Sequence, residues 1–224
     1  MKRPDLFIMA KQSVAGQVKT RLAQTCGAER AAEIAAALIR ATLALVTENW
    51  PGEVYLCGAP DAGHPLFERL AAELHVHLAS QGRGDLGERM HRLLRQGIER
   101  RGAAAVMGCD VPQCCASTLE VAYETLARGG GVIGPAMDGG YYFIGLQRAE
   151  PALFAGIDWG GDRVYAETRE RARRAGIGFE VLAPLRDIDT WDDLVGVARD
   201  HPSLQPLVTG YPPATFPRPR QGLF

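Results

Sequence analysis

Ala103-Ala104-Ala105-Val106-Met107-Gly108-Cys109-Asp110-Val111-Pro112 is an apolar run that ends in one aspartate held between a glycine and a proline. Such a run predicts a buried parallel strand that delivers a single carboxylate to its C-terminal end, where open α/β sheets bind ligands. Pro112 cannot donate to a ladder and fixes its own φ, so the strand stops and the carboxylate stays at the rim. A carboxylate there suits a hard divalent cation, which takes one or two protein oxygens and completes its shell with substrate phosphates. An Asx turn or a helix cap is the competing use of the same residue.

On either side of this strand, strand-like and helix-like patterns alternate, which predicts an α/β fold with a largely parallel sheet. Strands are expected over 6–10, 53–57, 74–79, 103–107, 131–136, 141–146 and 179–182. Helices are expected over 28–48, 65–73, 86–101, 117–128, 162–175 and 190–198, with Ser117 as a candidate N-cap. Leu86, Met90, Leu93, Leu94 and Ile98 mark one apolar helical face. Residues 1–200 read as one domain. From His201 onward prolines recur (Pro202, Pro206, Pro212, Pro213, Pro217, Pro219), which predicts a tail over 201–224 without regular structure.

The chain has 224 residues, 46% of them hydrophobic and 23% charged, which is ordinary globular composition able to bury a core. A formal net charge of −1 argues against a general nucleic-acid or anionic-membrane binder. No apolar run approaches the ~20 residues of a membrane span, and the N-terminus lacks a signal-type apolar core, so the cytoplasm is the expected compartment. The cysteines at 26, 57, 109, 114 and 115 have no paired CxxC spacing, which points to small core or turn residues in a reducing compartment.

Four polar segments fall where strands end. Lys11-Gln12-Ser13-Val14-Ala15-Gly16-Gln17-Val18-Lys19-Thr20-Arg21 places three cations and a glycine directly after the first strand, where α/β folds cradle phosphate. It matches neither a Walker A loop nor G-x-G-x-x-G. Lys19 and Arg21 are suited to clamp a diphosphate, the arginine in bidentate fashion. Gln81-Gly82-Arg83-Gly84-Asp85-Leu86-Gly87-Glu88 joins a strand to a helix, with Asp85 open to ligand binding or to a plain N-cap. Met137-Asp138-Gly139-Gly140 lies between two strands as an ordinary hairpin turn or a site whose glycines let a substrate approach Asp138. In Asp187-Ile188-Asp189-Thr190, alternation puts both carboxylates on one side, where they can complete a metal site with Asp110, while Asp189 or Thr190 can cap the next helix. Trp159 lies where an acceptor can stack, or serves as a core plug.

Taken in order, Gly16-x-Val18-Lys19-Thr20-Arg21-Leu22, Gln81-Gly82-x-Gly84-Asp85, Gly108-x-Asp110-x-Pro112, Gly134-Pro135-x-x-Asp138-Gly139-Gly140-Tyr141-Tyr142 and Asp187-Ile188-Asp189-Thr190 resemble the nucleotide-diphospho-sugar transferase superfamily. The match is closest to a small bacterial branch long carried as a domain of unknown function and linked to radical-SAM, selenodomain or arsenosugar loci. The resemblance implies a single-domain, Rossmann-like glycosyltransferase-A fold with a mixed, mostly parallel sheet. It implies a transferase that uses a nucleotide-diphosphate sugar, a small-molecule acceptor and Mg²⁺ or Mn²⁺. Lys11, Gly16, Lys19, Thr20, Arg21, Gln81 and Asp85 would then contact nucleotide or phosphates. Asp110, Asp187 and Asp189 would hold the metal, and Asp110, Lys19 and Asp138 would act in catalysis. The chain departs from the superfamily's Asp-x-Asp by having Gly108. That form also occurs in nucleotidyltransferases, so transfer of a nucleotidyl group from an NTP is the alternative reaction. A catalytically silent nucleotide-binding protein is the third reading. The base, the sugar, the acceptor and the oligomeric state are not legible in the sequence.

Overall fold

In the computed structural model, which describes residues 3–209, strands and helices alternate along the chain. The strands are β1 (Asp5–Lys11), β2 (Val54–Ala59), β3 (His77–Ser80), β4 (Ala104–Gly108), β5 (Gly131–Pro135), β6 (Tyr141–Leu146) and β7 (Phe179–Val181). The helices are α1 (Thr20–Cys26), α2 (Ala28–Asn49), α3 (Pro65–Leu74), α4 (Leu86–Arg101), α5 (Ala116–Arg128), α6 (Val164–Arg174), α7 (Trp191–Asp200) and α8 (Gln205–Val208). One seven-stranded sheet runs in the order β3-β2-β1-β4-β6-β5-β7. Its pairs are parallel except β4–β6 and β5–β6, so β6 alone runs against the rest. The expected single α/β domain with a mixed, mostly parallel sheet is observed.

Alternation along the strands builds two core layers. Leu6, Ile8 and Ala10 of β1 pack with Leu43 of α2, Phe67 of α3 and Leu126 of α5, whereas Phe7 packs with Leu93 and Leu94 of α4. Chain order runs outward from β1 through β2 to β3, then restarts at β4 on the other side of β1. The β1/β4 boundary is therefore the topological switch point, and the crevice above their C-terminal ends is where such sheets bind ligands. The opposite end of the sheet is closed by charge. Asp5 is fully buried and accepts from Arg100 Nε and Nη2 at 3.1 and 2.9 Å, while the guanidinium stacks 4.7 Å from the Tyr55 ring.

Several boundaries differ from expectation. Thr20 to Cys26, expected as loop through Leu22, is helical, with Leu22 and Cys26 buried against Ile34 and Leu38. The cap of α5 is Cys115 rather than Ser117. Leu74 closes α3 instead of opening β3. The expected irregular tail begins with a 3-10 turn (Pro202–Leu204) followed by α8, because Leu204 is buried against α1, α2 and α7. The prolines from Pro212 onward lie outside the described residues.

Candidate functional site

Four segments converge above the switch point. The β1 loop leads to Lys19, which caps α1 with a left-handed backbone (φ 48°, ψ 46°), a conformation that costs a non-glycine residue about 1–2 kcal/mol and persists only where the surroundings enforce it. The ammonium is held at the far end of the same residue. Its side chain is only 6% exposed, and Nζ lies 2.8 Å from Asp110 Oδ1 and 3.1 Å from Asp189 Oδ1. Asp110 leaves β4 as the strand pattern requires, and its carbonyl accepts the Ile188 N–H at 2.9 Å. That bond ties the Asp187–Asp189 segment to the end of β4, and the fully buried Ile188 side chain turns both flanking aspartates outward. Thr190, not Asp189, caps α7 in a reciprocal box with Asp193. Asp189 is thereby left to meet cations, with Oδ1 on Lys19 and Oδ2 on Arg21.

The two aspartates around Ile188 differ in surroundings. Asp187 is pushed up to about 7 by burial and by the neighbouring carboxylates of Asp138, Asp110 and Asp189, against which Lys19 gives partial relief. Burial works against the Lys19 charge as well, but Asp110 and Asp189 outweigh it and hold its pKa above that of an ordinary lysine. Carboxylates thus accumulate faster than the protein supplies positive charge. Among the described residues no group of three or more His, Cys, Asp or Glu side chains is placed to hold a metal ion by itself.

Two cavities meet at this point. One of about 390 Å³ is lined by Lys11, Lys19, Thr20, Arg21 and Gln81, with Ala35 and Ile39 of α2 as apolar lining. The other, of about 400 Å³, is lined by Asp138, Asp162, Asp187, Tyr141 and Trp159. Arg21, Leu86, Asp110 and Asp189 belong to both. Gly87 makes the second wall possible, because a Cβ there would fall 2.4 Å from the Trp159 ring. Gly139, at φ 93°, likewise lets the Asp138 turn lie on Asp162, since a Cβ would sit 2.0 Å from the Asp162 carbonyl oxygen.

The structure therefore brings together Lys11, Lys19, Thr20, Arg21, Gln81, Asp110, Asp138, Asp187 and Asp189 around one crevice. Gly16 (φ 77°) shapes the β1 loop and lines neither cavity. Asp85 also lines neither; it is the N-cap of α4, with Oδ1 accepting the Glu88 N–H at 2.8 Å and Glu88 returning the bond. Gln81 is buried, and its amide nitrogen donates to the carbonyls of Ala10 and Cys57, which fastens the loop to β1 and β2. Asp138 Oδ1 accepts the Gly140 N–H at 2.9 Å, so the turn that was one of its two expected uses is present. Asp162 was not foreseen; Gly160-Gly161-Asp162 repeats the glycine-and-aspartate composition of the Asp138 turn and was the available signal. All five cysteines are free. Burial pushes Cys114 up to about 12, whereas hydrogen bonds from Ser117 and Thr118 lower exposed Cys115 to about 7.

Residues 42–161 match the model of a family described as an uncharacterized protein conserved in bacteria, DUF2064. The chain belongs to the DUF2064 family. The matched segment includes Gln81, Asp110, Asp138 and Trp159, and the two ends of the DUF2064 chain add Lys19, Arg21, Asp187 and Asp189. A crystal structure from Desulfovibrio desulfuricans G20, described as a nucleotide-diphospho-sugar transferase, is similar at 29% identity. It has a TM-score of 0.79 over 93% of this chain and 99% of its own. A cytidylyltransferase from Leptospira borgpetersenii has a TM-score of 0.57 at 12% identity, over 91% of this chain and 97% of its own. Glucosyl-3-phosphoglycerate synthase from Mycobacterium tuberculosis, solved with Mn²⁺, UDP and glucosyl-3-phosphoglycerate, has a TM-score of 0.53 at 10% identity, over 95% and 82%. The last two share the fold. No curated protein sequence matches the chain. No helix among the described residues is long and apolar enough to cross a membrane.

Proposed function

We propose that this protein is a transferase that moves a glycosyl group from a nucleotide-diphosphate sugar to a small-molecule acceptor with the aid of Mg²⁺ or Mn²⁺. The observation that carries the proposal is the meeting of a cation-lined cavity and a carboxylate-lined cavity at Asp110 and Asp189. The first suits a nucleotide diphosphate, and the second suits the group being transferred and its acceptor. The similarity to the Desulfovibrio protein described as a nucleotide-diphospho-sugar transferase supports the same reading.

Lys19 and Arg21 bind the diphosphate, and Lys11, exposed at the mouth, extends the cationic lining. Thr20 lines the same cavity, and Gly16 allows the loop its turn. With its amide nitrogen engaged by two carbonyls, Gln81 offers Oε1 to a donor on the base. Asp110 and Asp187 are the oxygens that would hold the divalent ion. Asp189 reaches it only if Lys19 releases Oδ1, because both its oxygens are already paired with cations. A bound Mg²⁺ or Mn²⁺ supplies neutralisation of the charge that develops on the leaving diphosphate. As the sugar–oxygen bond breaks, the Lys19 ammonium is positioned to follow that charge from Asp110 to the phosphate. The Asp138 oxygen not engaged by Gly140 is the candidate acceptor for the proton of the incoming hydroxyl.

Nucleotidyl transfer from an NTP is the second reading, favoured by the single carboxylate that β4 offers above Gly108. It would use the same cations and the same metal position. Incubation with nucleotide sugars and with NTPs in Mn²⁺ decides between them. Release of a nucleoside diphosphate from a nucleotide sugar supports glycosyl transfer, and release of pyrophosphate from an NTP overturns it in favour of the second reading.

A further inference from the structure

The second cavity differs from the first in the sign of its charged lining. Asp110, Asp138, Asp162, Asp187 and Asp189 face it, against Arg21 as the one cation lining it among the described residues, and that guanidinium is already engaged by Asp189. A divalent ion on Asp110 and Asp187 adds two positive charges. With Lys19, whose Nζ lies within 3.1 Å of Asp110 and Asp189, five carboxylates then face four positive charges, and one negative charge remains in excess. The uncharged part of the lining is suited to a polyol: Tyr141 and Trp159 meet edge to face at 6.3 Å, beside the backbone of Gly140, Gly160 and Gly161. Carboxylates accept hydrogen bonds and offer none, so these five side chains match hydroxyls and ammonium groups and repel a phosphate. A phosphate monoester would bring ~1.5–2 further negative charges into it, beside carboxylates that repel them.

We propose that the acceptor taken by the second cavity is an uncharged polyol or an amine, carrying neither phosphate nor carboxylate. This rests on reading the first cavity as the nucleotide site, and it bears against the nucleotidyl alternative, which needs a phosphorylated partner.

The test places a reporter in the wall and uses no nucleotide, so it stands or falls separately from the nucleotide reading. Gly160→Cys puts a thiol into the cavity where a Cβ has its nearest neighbour at 3.7 Å; Cys115→Ser removes the exposed native thiol. Labelling rates are compared for aminoethyl and sulfonatoethyl methanethiosulfonate, with and without Mn²⁺. The expected ratio favours the cationic reagent at least tenfold beyond its ratio for free cysteine, and Asp138→Asn with Asp162→Asn reduces it several-fold. Glucosamine protects the thiol more than glucose 6-phosphate does. A ratio no greater than that of free cysteine overturns the proposal, as does stronger protection by glucose 6-phosphate in the presence of Mn²⁺.

Discussion

Lys19→Met removes the ammonium that holds Asp110 and Asp189 together while keeping the length and apolar body of the side chain. Lys19 is 6% exposed, and it is the ion-pair partner of Asp110 among the described residues, whereas Asp189 retains Arg21. Breaking a buried pair by removing one partner costs about 3–5 kcal/mol, because the other charge is left behind. Asp110 is 41% exposed and Asp189 30%, so solvent recovers part of this, and roughly 2–3 kcal/mol remains. For a chain of this size 1 kcal/mol moves Tm by about 2–4 °C, so the expected fall is roughly 4–12 °C. The folded pKa of Lys19 is raised, so its contribution is fully present below the ordinary lysine value and disappears only above it; the fall should hold across pH 6–9. Thermal unfolding with and without 5 mM Mn²⁺ is the assay. The divalent ion should recover more stability in the variant than in the wild type, since it replaces the missing charge on Asp110. A fall below about 1 °C, or no larger Mn²⁺ effect in the variant, would refute the electrostatic account of this site.

Three further outcomes follow from other contacts. Asp187 carries a proton in the folded state up to about pH 7, against 3.8 ordinarily; a raised folded pKa gives stability that is complete below pH 4 and lost as pH rises through 7. Asp187→Asn, which cannot ionise, should therefore gain roughly 2 kcal/mol on the metal-free wild type between pH 5 and pH 8, and lose its advantage in Mn²⁺; denaturant titrations at both pH values check this. Arg100→Ala leaves the fully buried Asp5 to the longer Arg101 ion pair at 3.6 Å and should cost about 3 kcal/mol at pH 7, and less in acid, where the raised pKa of Asp5 lets it become neutral; the same titrations read it. Gly87→Ala drives a Cβ into the Trp159 ring, at about 1–3 kcal/mol of overpacking, and should change tryptophan fluorescence and lower transfer while nucleotide affinity is kept.

Much of the site was legible because strand ends advertise themselves. An apolar run stopping at Asp110 before a proline, and cations directly after β1, identify the crevice from residue type and order alone. Alternation around Ile188 correctly put Asp187 and Asp189 on one side. Alternation could not say that Asp189 would meet Lys19 and Arg21 while Asp187 stayed buried among carboxylates, because that depends on burial and on contacts 168 and 170 residues apart in the chain. Helix α1 escaped notice because a left-handed lysine caps it with no side-chain hydrogen bond, so the usual polar cap signal is missing. The Asp85 cap was visible in principle, since Glu88 three residues later completes a capping box. Helix α8 forms where prolines suggested irregular chain, since Pro202 and Pro206 fall at the first turns that tolerate them.

The central claim is that Asp110 supports a divalent ion against a nucleotide diphosphate held by Lys19 and Arg21. Calorimetric titration of the four common nucleoside diphosphates into wild type and Asp110→Asn, each with Mn²⁺ and with a chelator, tests it most directly. The account predicts that at least one diphosphate binds the wild type in Mn²⁺. Its affinity should fall at least tenfold, about 1.4 kcal/mol, both on chelation and in the variant. Binding that is equally tight in the chelator and in Asp110→Asn would contradict it.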